Sequence, residues 1–148
     1  MPGTPEPVRI ALAFDFGLRR IGVAVGDTLT RSAVARGALA VAADGPDWEA
    51  IARVIRENGP HLLVVGTPYN VDGDANEMTV LARQFASDLA VRHALPVEQV
   101  DERYSSIEAT EKLKAQRASG ERSRRLRKGD IDSAAAVVIL ERWLEGER

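Results

Sequence analysis

The stretch Val8 to Phe14 is almost continuously apolar and is cut off by Asp15-Phe16-Gly17; a second apolar run, Ile21-Gly22-Val23-Ala24-Val25, follows after the short link Gly17-Leu18-Arg19-Arg20. A continuous apolar run of this length is the pattern of a strand buried on both faces. A parallel neighbour needs a crossover of about a dozen or more residues, so the two runs pair as an antiparallel hairpin. A third strand is expected within Val34 to Val41.

After these strands the pattern changes to alternating helix and strand. Asp47 caps a helix whose apolar positions Trp48, Ile51, Ala52 and Ile55 recur at helical spacing, ending at Asn58-Gly59-Pro60. Leu62 to Val65 reads as a short buried strand, Glu77 to Arg92 as a helix with Val80, Leu81, Phe85 and Leu89 on its stripe, and Pro96 to Val100 as a fifth strand. Ser105 and Glu108 form a capping box for a helix to about Ser119, and Gly120 to Gly129 is polar and basic. Ile131 to Leu144 closes the chain as a helix with the face Ala135, Ala136, Ile139 and Trp143, and Asp130 as N-cap. The expected fold is α/β: a mixed five-stranded sheet, its first three strands antiparallel, flanked by helices. Residues 1–7 read as a disordered tail and 8–148 as one domain, since 148 residues suit a single ordinary core.

The chain has no cysteine, which excludes disulfides, thiolate zinc sites and a cysteine nucleophile, and suggests a reducing compartment. His61 and His93 are too few and too far apart for a histidine-rich metal site, so any metal would be held by carboxylates, pointing to hard ions such as Mg2+ or Mn2+. The N-terminus lacks a basic leader, and the first apolar run is far short of the ~20 residues of a membrane span. A cytoplasmic location without membrane contact is therefore expected. The net charge of −2 conceals an asymmetry: between Lys112 and Lys128 eight basic residues face the single acid Glu121, giving +7 there and −9 elsewhere. Such a block suits a polyanion.

Three acids adjoin apolar surface. Asp15 ends the most hydrophobic strand, on the side of Ala11 and Ala13. Asp101-Glu102-Arg103 ends the fifth strand; alternation puts Glu102 on the face of Val100, which favours it over Asp101, the reserve. Asp132 continues the stripe of Ala135, Ala136, Ile139 and Trp143. Each has a structural alternative: a turn cap with Gly17, a solvated strand end paired with Arg103, or a helix N-terminal interaction worth about 0.3–1 kcal/mol. Converging, they would repel one another unless a cation neutralised them, which suits phosphoryl chemistry with two ions about 3.5–4 Å apart.

Ala13-Phe14-Asp15-Phe16-Gly17 with Arg20-Ile21-Gly22-Val23-Ala24, Val65-Gly66-Thr67-Pro68 with Asp72-Gly73, Asp101-Glu102-Arg103, and Lys128-Gly129 with Asp132-Ser133-Ala134-Ala135 together resemble the YqgF/RuvX family, the pre-16S ribosomal RNA nucleases once described as Holliday junction resolvase-like. The resemblance runs from Ile10 to about Leu144, and four motifs in order are far more specific than any one. It departs at Arg19, where lysine is common, and at Tyr104-Ser105-Ser106; neither touches an acid. It implies an RNase H-like fold, Asp15, Glu102 and Asp132 as an acidic triad holding two Mg2+ or Mn2+ ions, and hydrolysis of phosphodiester bonds in 5′-end maturation of the 16S precursor.

Arg103, Lys112, Lys114, Arg122, Arg124, Arg125, Arg127 and Lys128 would then neutralise and position nucleic acid, while Gly66, Pro68 and Asn70 belong to a turn-rich loop that could approach substrate. Trp48 and Trp143 sit on helical stripes and are expected in the core, leaving Tyr69 and Tyr104 for stacking. The expected partner is the ribosomal RNA precursor or pre-ribosomal particle, bound by a monomer or homodimer. The alternatives are a resolvase acting on branched DNA and a non-catalytic RNA-binding assembly factor. A two-lobed sugar kinase or actin-like ATPase would need a second half that 148 residues do not supply.

Overall fold

Alternation along the first strands separates a small-residue face from a bulky one. In β1 (Ile10–Asp15), Ala11 and Ala13 point to one side and Leu12 and Phe14 to the other. In the antiparallel β2 (Arg20–Asp27), Ala24 shares the first side and Ile21 and Val23 the second. The computed structural model describes residues 7–70, 72–102, 111, 114 and 128–146. The expected tail before Pro7 lies outside the described residues. So does the helix expected from Ser105 to Ser119, except for Glu111 and Lys114, which are helical and exposed.

The remaining elements are β3 (Ala33–Ala42), β4 (Gly45–Pro46), α1 (Trp48–Asn58), β5 (Leu62–Thr67), α2 (Glu77–His93), β6 (Val97–Asp101) and α3 (Lys128–Gly146). They build one mixed sheet in the order β4-β3-β2-β1-β5-β6. The pairs from β1 through β4 are antiparallel, and β5 and β6 add in parallel beside β1. The sheet thus has six strands where five were expected. The sixth, β4, is a two-residue pairing of Gly45 and Pro46 with Ala42 and Val41. Its Asp44-Gly45-Pro46 context reads in sequence only as a turn.

α3 packs on the small-residue face, where Ala136, Ile139, Leu140 and Trp143 meet Ala11, Ala13, Ala24 and Val64. α1 and α2 cover the bulky face, where Ile51, Phe85 and Leu89 meet Leu12, Phe14, Ile21, Val23 and Val65. Phe85 packs edge-on against Phe14 and stacks on Trp48, with ring centroids 5.9 and 5.6 Å apart. Both tryptophans therefore belong to the core. Complete burial of such a side chain contributes about 1.5–3 kcal/mol.

Two helices differ from expectation. In α2, Val80 and Leu81 are exposed, and the inner face is Thr79, Ala82, Phe85, Ala86 and Leu89. Its rotation is set at the first turn: Asn76 and Thr79 form a reciprocal capping box, and the Thr79 hydroxyl also donates to the Pro68 carbonyl, which turns Thr79 inward. α3 begins at Lys128 rather than Ile131, so Asp130 lies in its first turn instead of capping it. Gly129, read as part of a loop, costs a helix only about 1 kcal/mol, less than the burial of this helix returns. Ala135, expected on the sheet-facing stripe, lies with Ala134, Val138 and Ile131 in a separate apolar patch.

Candidate active site

Three close approaches bring the acids together. Asp15 pairs across the β1–β2 ladder with Gly22. A Cβ placed on Gly22 would lie 1.9 Å from the Asp132 carbonyl oxygen, so only glycine lets the first turns of α3 cross the strand there. Asp132 is thereby set beside Asp15. On the other flank, Gly66 of β5 leaves room for Glu102: a Cβ on Gly66 would stand 3.0 Å from the Glu102 Cδ and 2.3 Å from Ile139 Cδ1. Glu102 follows β6 directly, its backbone N–H donating to the Thr67 carbonyl at 3.1 Å.

Glu102 is 8% exposed, and its side chain lies close enough to that of Asp15 to influence its ionisation. Burial pushes the Asp15 carboxyl from its ordinary 3.8 up to about 6; the Glu102 side chain pulls against this, and the negative charge of Asp132 adds to the rise. Asp132 is itself engaged by Arg20, whose Nε donates to Oδ2 at 2.5 Å. Arg20 is on the same face of β2 as Gly22, two residues away.

Ser133 fastens this end of α3 to the sheet. Its buried hydroxyl donates to the Val23 carbonyl at 2.9 Å and accepts from the Gly37 backbone N–H at 3.0 Å. Sequence reasoning assigned no role to Arg20, Gly22 or Ser133, although each lies in a motif it singled out. The signal was there in the alternation of Arg20, Gly22 and Ala24, which placed a cation and a gap on the side of Asp15.

The structure thus brings Asp15, Glu102 and Asp132 to one edge of the sheet. Asp101, the reserve acid, is exposed on the last position of β6, with its carbonyl held by Arg142 Nη1 at 3.0 Å. Gly66 lies within β5 rather than in a loop, and its open side is filled by Ile139 and Glu102. Pro68 and Asn70 do form the loop after β5. Asn70 accepts at its carbonyl from Gly73 N–H at 2.8 Å and at its side-chain oxygen from Asn76 Nδ2 at 2.9 Å. Lys114 is exposed. Arg103, Lys112, Arg122, Arg124, Arg125 and Arg127 lie outside the described residues, as does the side chain of Lys128.

An all-oxygen donor set suits a hard divalent cation, and a carboxyl whose ionisation is resisted by burial and by a neighbouring acid is one that such a cation would help to ionise. Asp15 and Glu102 stand ready as a pair, while the third acid is turned to Arg20. Among the described residues no three His, Cys, Asp or Glu side chains are already grouped to hold an ion.

The family model described as "RuvX: Holliday junction resolvase" matches residues 9–146. A protein of Coxiella burnetii named "Putative pre-16S rRNA nuclease" is 44% identical over 97% of this chain and 98% of its own length. One of the same name from Xanthomonas campestris pv. campestris is 46% identical over 96% of this chain and 91% of its own. Among solved structures, the Thermus thermophilus RuvC complex with a Holliday junction superposes with a TM-score of 0.54 at 15% identity, over 93% of this chain and 94% of that one. The yeast mitochondrial Holliday junction resolvase Ydc2 gives 0.52 at 10% identity, over 90% of this chain and 77% of that one. These likenesses establish the RNase H-like fold expected from the motifs.

Proposed function

The chain belongs to the RuvX family, and from that membership we propose that it is a divalent-cation-dependent nuclease that hydrolyses phosphodiester bonds during 5′-end maturation of the 16S ribosomal RNA precursor. The observation that carries this reading is the approach of Asp15, Glu102 and Asp132, from three separate elements, to one edge of the sheet across Gly22 and Gly66. Structural roles for the acids account poorly for it, because drawing a buried acid and two partly buried ones to one edge is unfavourable unless a ligand offsets their repulsion.

In this reading Asp15 and Glu102 hold Mg2+ or Mn2+ ions, a pair of them as phosphoryl-transfer sites commonly use, and Asp132 completes the shell. When bound, the cations supply charge neutralisation at the phosphate and activation of the attacking water. Arg20 orients Asp132 through its Nε, and in this reading its terminal guanidinium nitrogens meet a phosphate oxygen. The Lys112 to Lys128 strip binds the backbone of the nucleic acid. The protein works in the cytoplasm, where its substrate is made; among the described residues no helix is long and apolar enough to cross a membrane.

A second reading, a DNA resolvase, is favoured by the name of the family model. One experiment addresses both: the protein and its Asp15→Asn variant are incubated with Mg2+ and either the 16S precursor or a synthetic four-way junction. Magnesium-dependent cleavage of the precursor, reduced at least about a hundredfold in the variant, is expected. Cleavage of the junction alone would move the assignment to DNA; full activity in the folded variant would remove the carboxylate site.

A further inference from the structure

A cavity of about 220 Å³ opens at the carboxyl ends of β5 and β6, lined by Thr67, Tyr69, Gly73, Gln99, Val100 and Asp101. It shares an edge with the carboxylate centre. Thr67, on its floor, accepts the backbone hydrogen bond of Glu102, and Asp101 and Glu102 are consecutive residues that alternation sends to opposite faces. One nucleotide lying over this edge can therefore put its phosphate at the carboxylates and its base in the cavity.

Two features define the occupant. The cavity is smaller than the roughly 300–1,000 Å³ pockets of drug-sized ligands, which limits it to a small ring system. Its polar group is pre-oriented: Thr67 Oγ1 donates to Gln99 Oε1 at 2.9 Å, which leaves the Gln99 amide N–H groups as the donors the site offers.

The aromatic wall is fixed as well. Arg83 Nη2 donates to the Tyr69 hydroxyl at 2.8 Å and its guanidinium lies 5.6 Å from the ring centroid, so the ring is held before any ligand arrives. The loop behind it is closed on itself by the Asn70 N–H to Asp74 carbonyl and Gly73 N–H to Asn70 carbonyl bonds, both 2.8 Å, and by the Thr79 hydroxyl on Pro68. A held aromatic beside an amide donor is the chemistry that stacks and reads a nucleobase with an acceptor on its edge.

We propose that this cavity is a subsite for one unpaired nucleobase next to the scissile phosphate, so that the substrate is single-stranded at that position. The proposal rests on the nuclease reading for its register. A base in a duplex is stacked and paired and cannot enter.

The test is a binding measurement that needs no cleavage. Short single-stranded RNAs carrying the fluorescent base 2-aminopurine at each position in turn, and matching abasic strands, are titrated with the full-length protein in Ca2+. At one position the wild type is expected to bind the base-containing strand about tenfold more tightly than the abasic one. Tyr69→Ala and Gln99→Leu should bind the two alike, while Tyr69→Phe, which keeps the ring, retains the preference. Equal binding of both strands by the wild type at every position, or an undiminished preference in Tyr69→Ala and Gln99→Leu, would overturn the subsite. Neither outcome depends on hydrolysis, so failure of the subsite is distinguishable from failure of the nuclease reading.

Discussion

Asp15 shows how a single side chain can serve a reaction at the expense of the fold. Its carboxyl ionises near 6 in the folded chain and near 3.8 when unfolded, because burial and the charge of Asp132 resist its ionisation. The folded protein therefore holds the proton more tightly. The resulting loss of stability is absent below the unfolded value, grows as pH rises from about 4 to about 6, and is fully present above that. Without divalent ions, Asp15→Asn is expected to be more stable than the wild type near neutral pH by about 3 kcal/mol, with the difference vanishing by about pH 4. Urea unfolding of both proteins in a chelator across that range checks it; a variant that is less stable at neutral pH would contradict the origin assigned to the shift.

At the scale of elements, the site exists because α3 can approach the sheet closely. Alternation in β1 and β2 separates Ala11, Ala13 and Ala24 from Leu12, Phe14, Ile21 and Val23, and Gly22 continues the small side to the point where Asp132 crosses. Gly22→Ala forces a methyl group against the α3 backbone and is expected to cost about 1–3 kcal/mol and to lower cleavage disproportionately by displacing Asp132. Gly129→Ala is the control. There the nearest atom to the new methyl is the Ala38 Cβ at 3.8 Å, and alanine favours the helix. Thermal melts and single-turnover cleavage of both variants distinguish them; equal tolerance would show that the close approach does not set the site.

Much of this organisation follows from local sequence pattern. The antiparallel start of the sheet is dictated by a four-residue link, and the face of Glu102 by its two-residue spacing from Val100. What pattern could not supply depends on long-range contacts. The rotation of α2 is fixed by Thr79 reaching the Pro68 carbonyl, and the early start of α3 accompanies Ser133 docking on Val23 and Gly37. The ion pair of Arg20 with Asp132 spans 112 positions, a separation at which helical or strand periodicity carries no information.

For the whole molecule, the net charge of −2 divides into a +7 segment and a −9 remainder, so a polyanion meets an attractive strip on an otherwise repelling body. Replacing Arg122, Arg124, Arg125 and Arg127 by glutamine should weaken binding of single-stranded RNA and flatten its logarithmic salt dependence by up to roughly 3, at about 0.7 for each phosphate no longer neutralised. An unchanged slope in binding titrations would place the phosphate-binding cations elsewhere. The central claim, that the three acids form a cation centre, is tested most directly by calorimetric titration of Mn2+ into the metal-free protein just below pH 6, in buffers of different ionisation enthalpy. Binding with release of roughly half a proton, lost in both Asp15→Asn and Glu102→Gln, is the predicted result. Indistinguishable Mn2+ binding by the wild type and the two variants, or none by any of them, would contradict it.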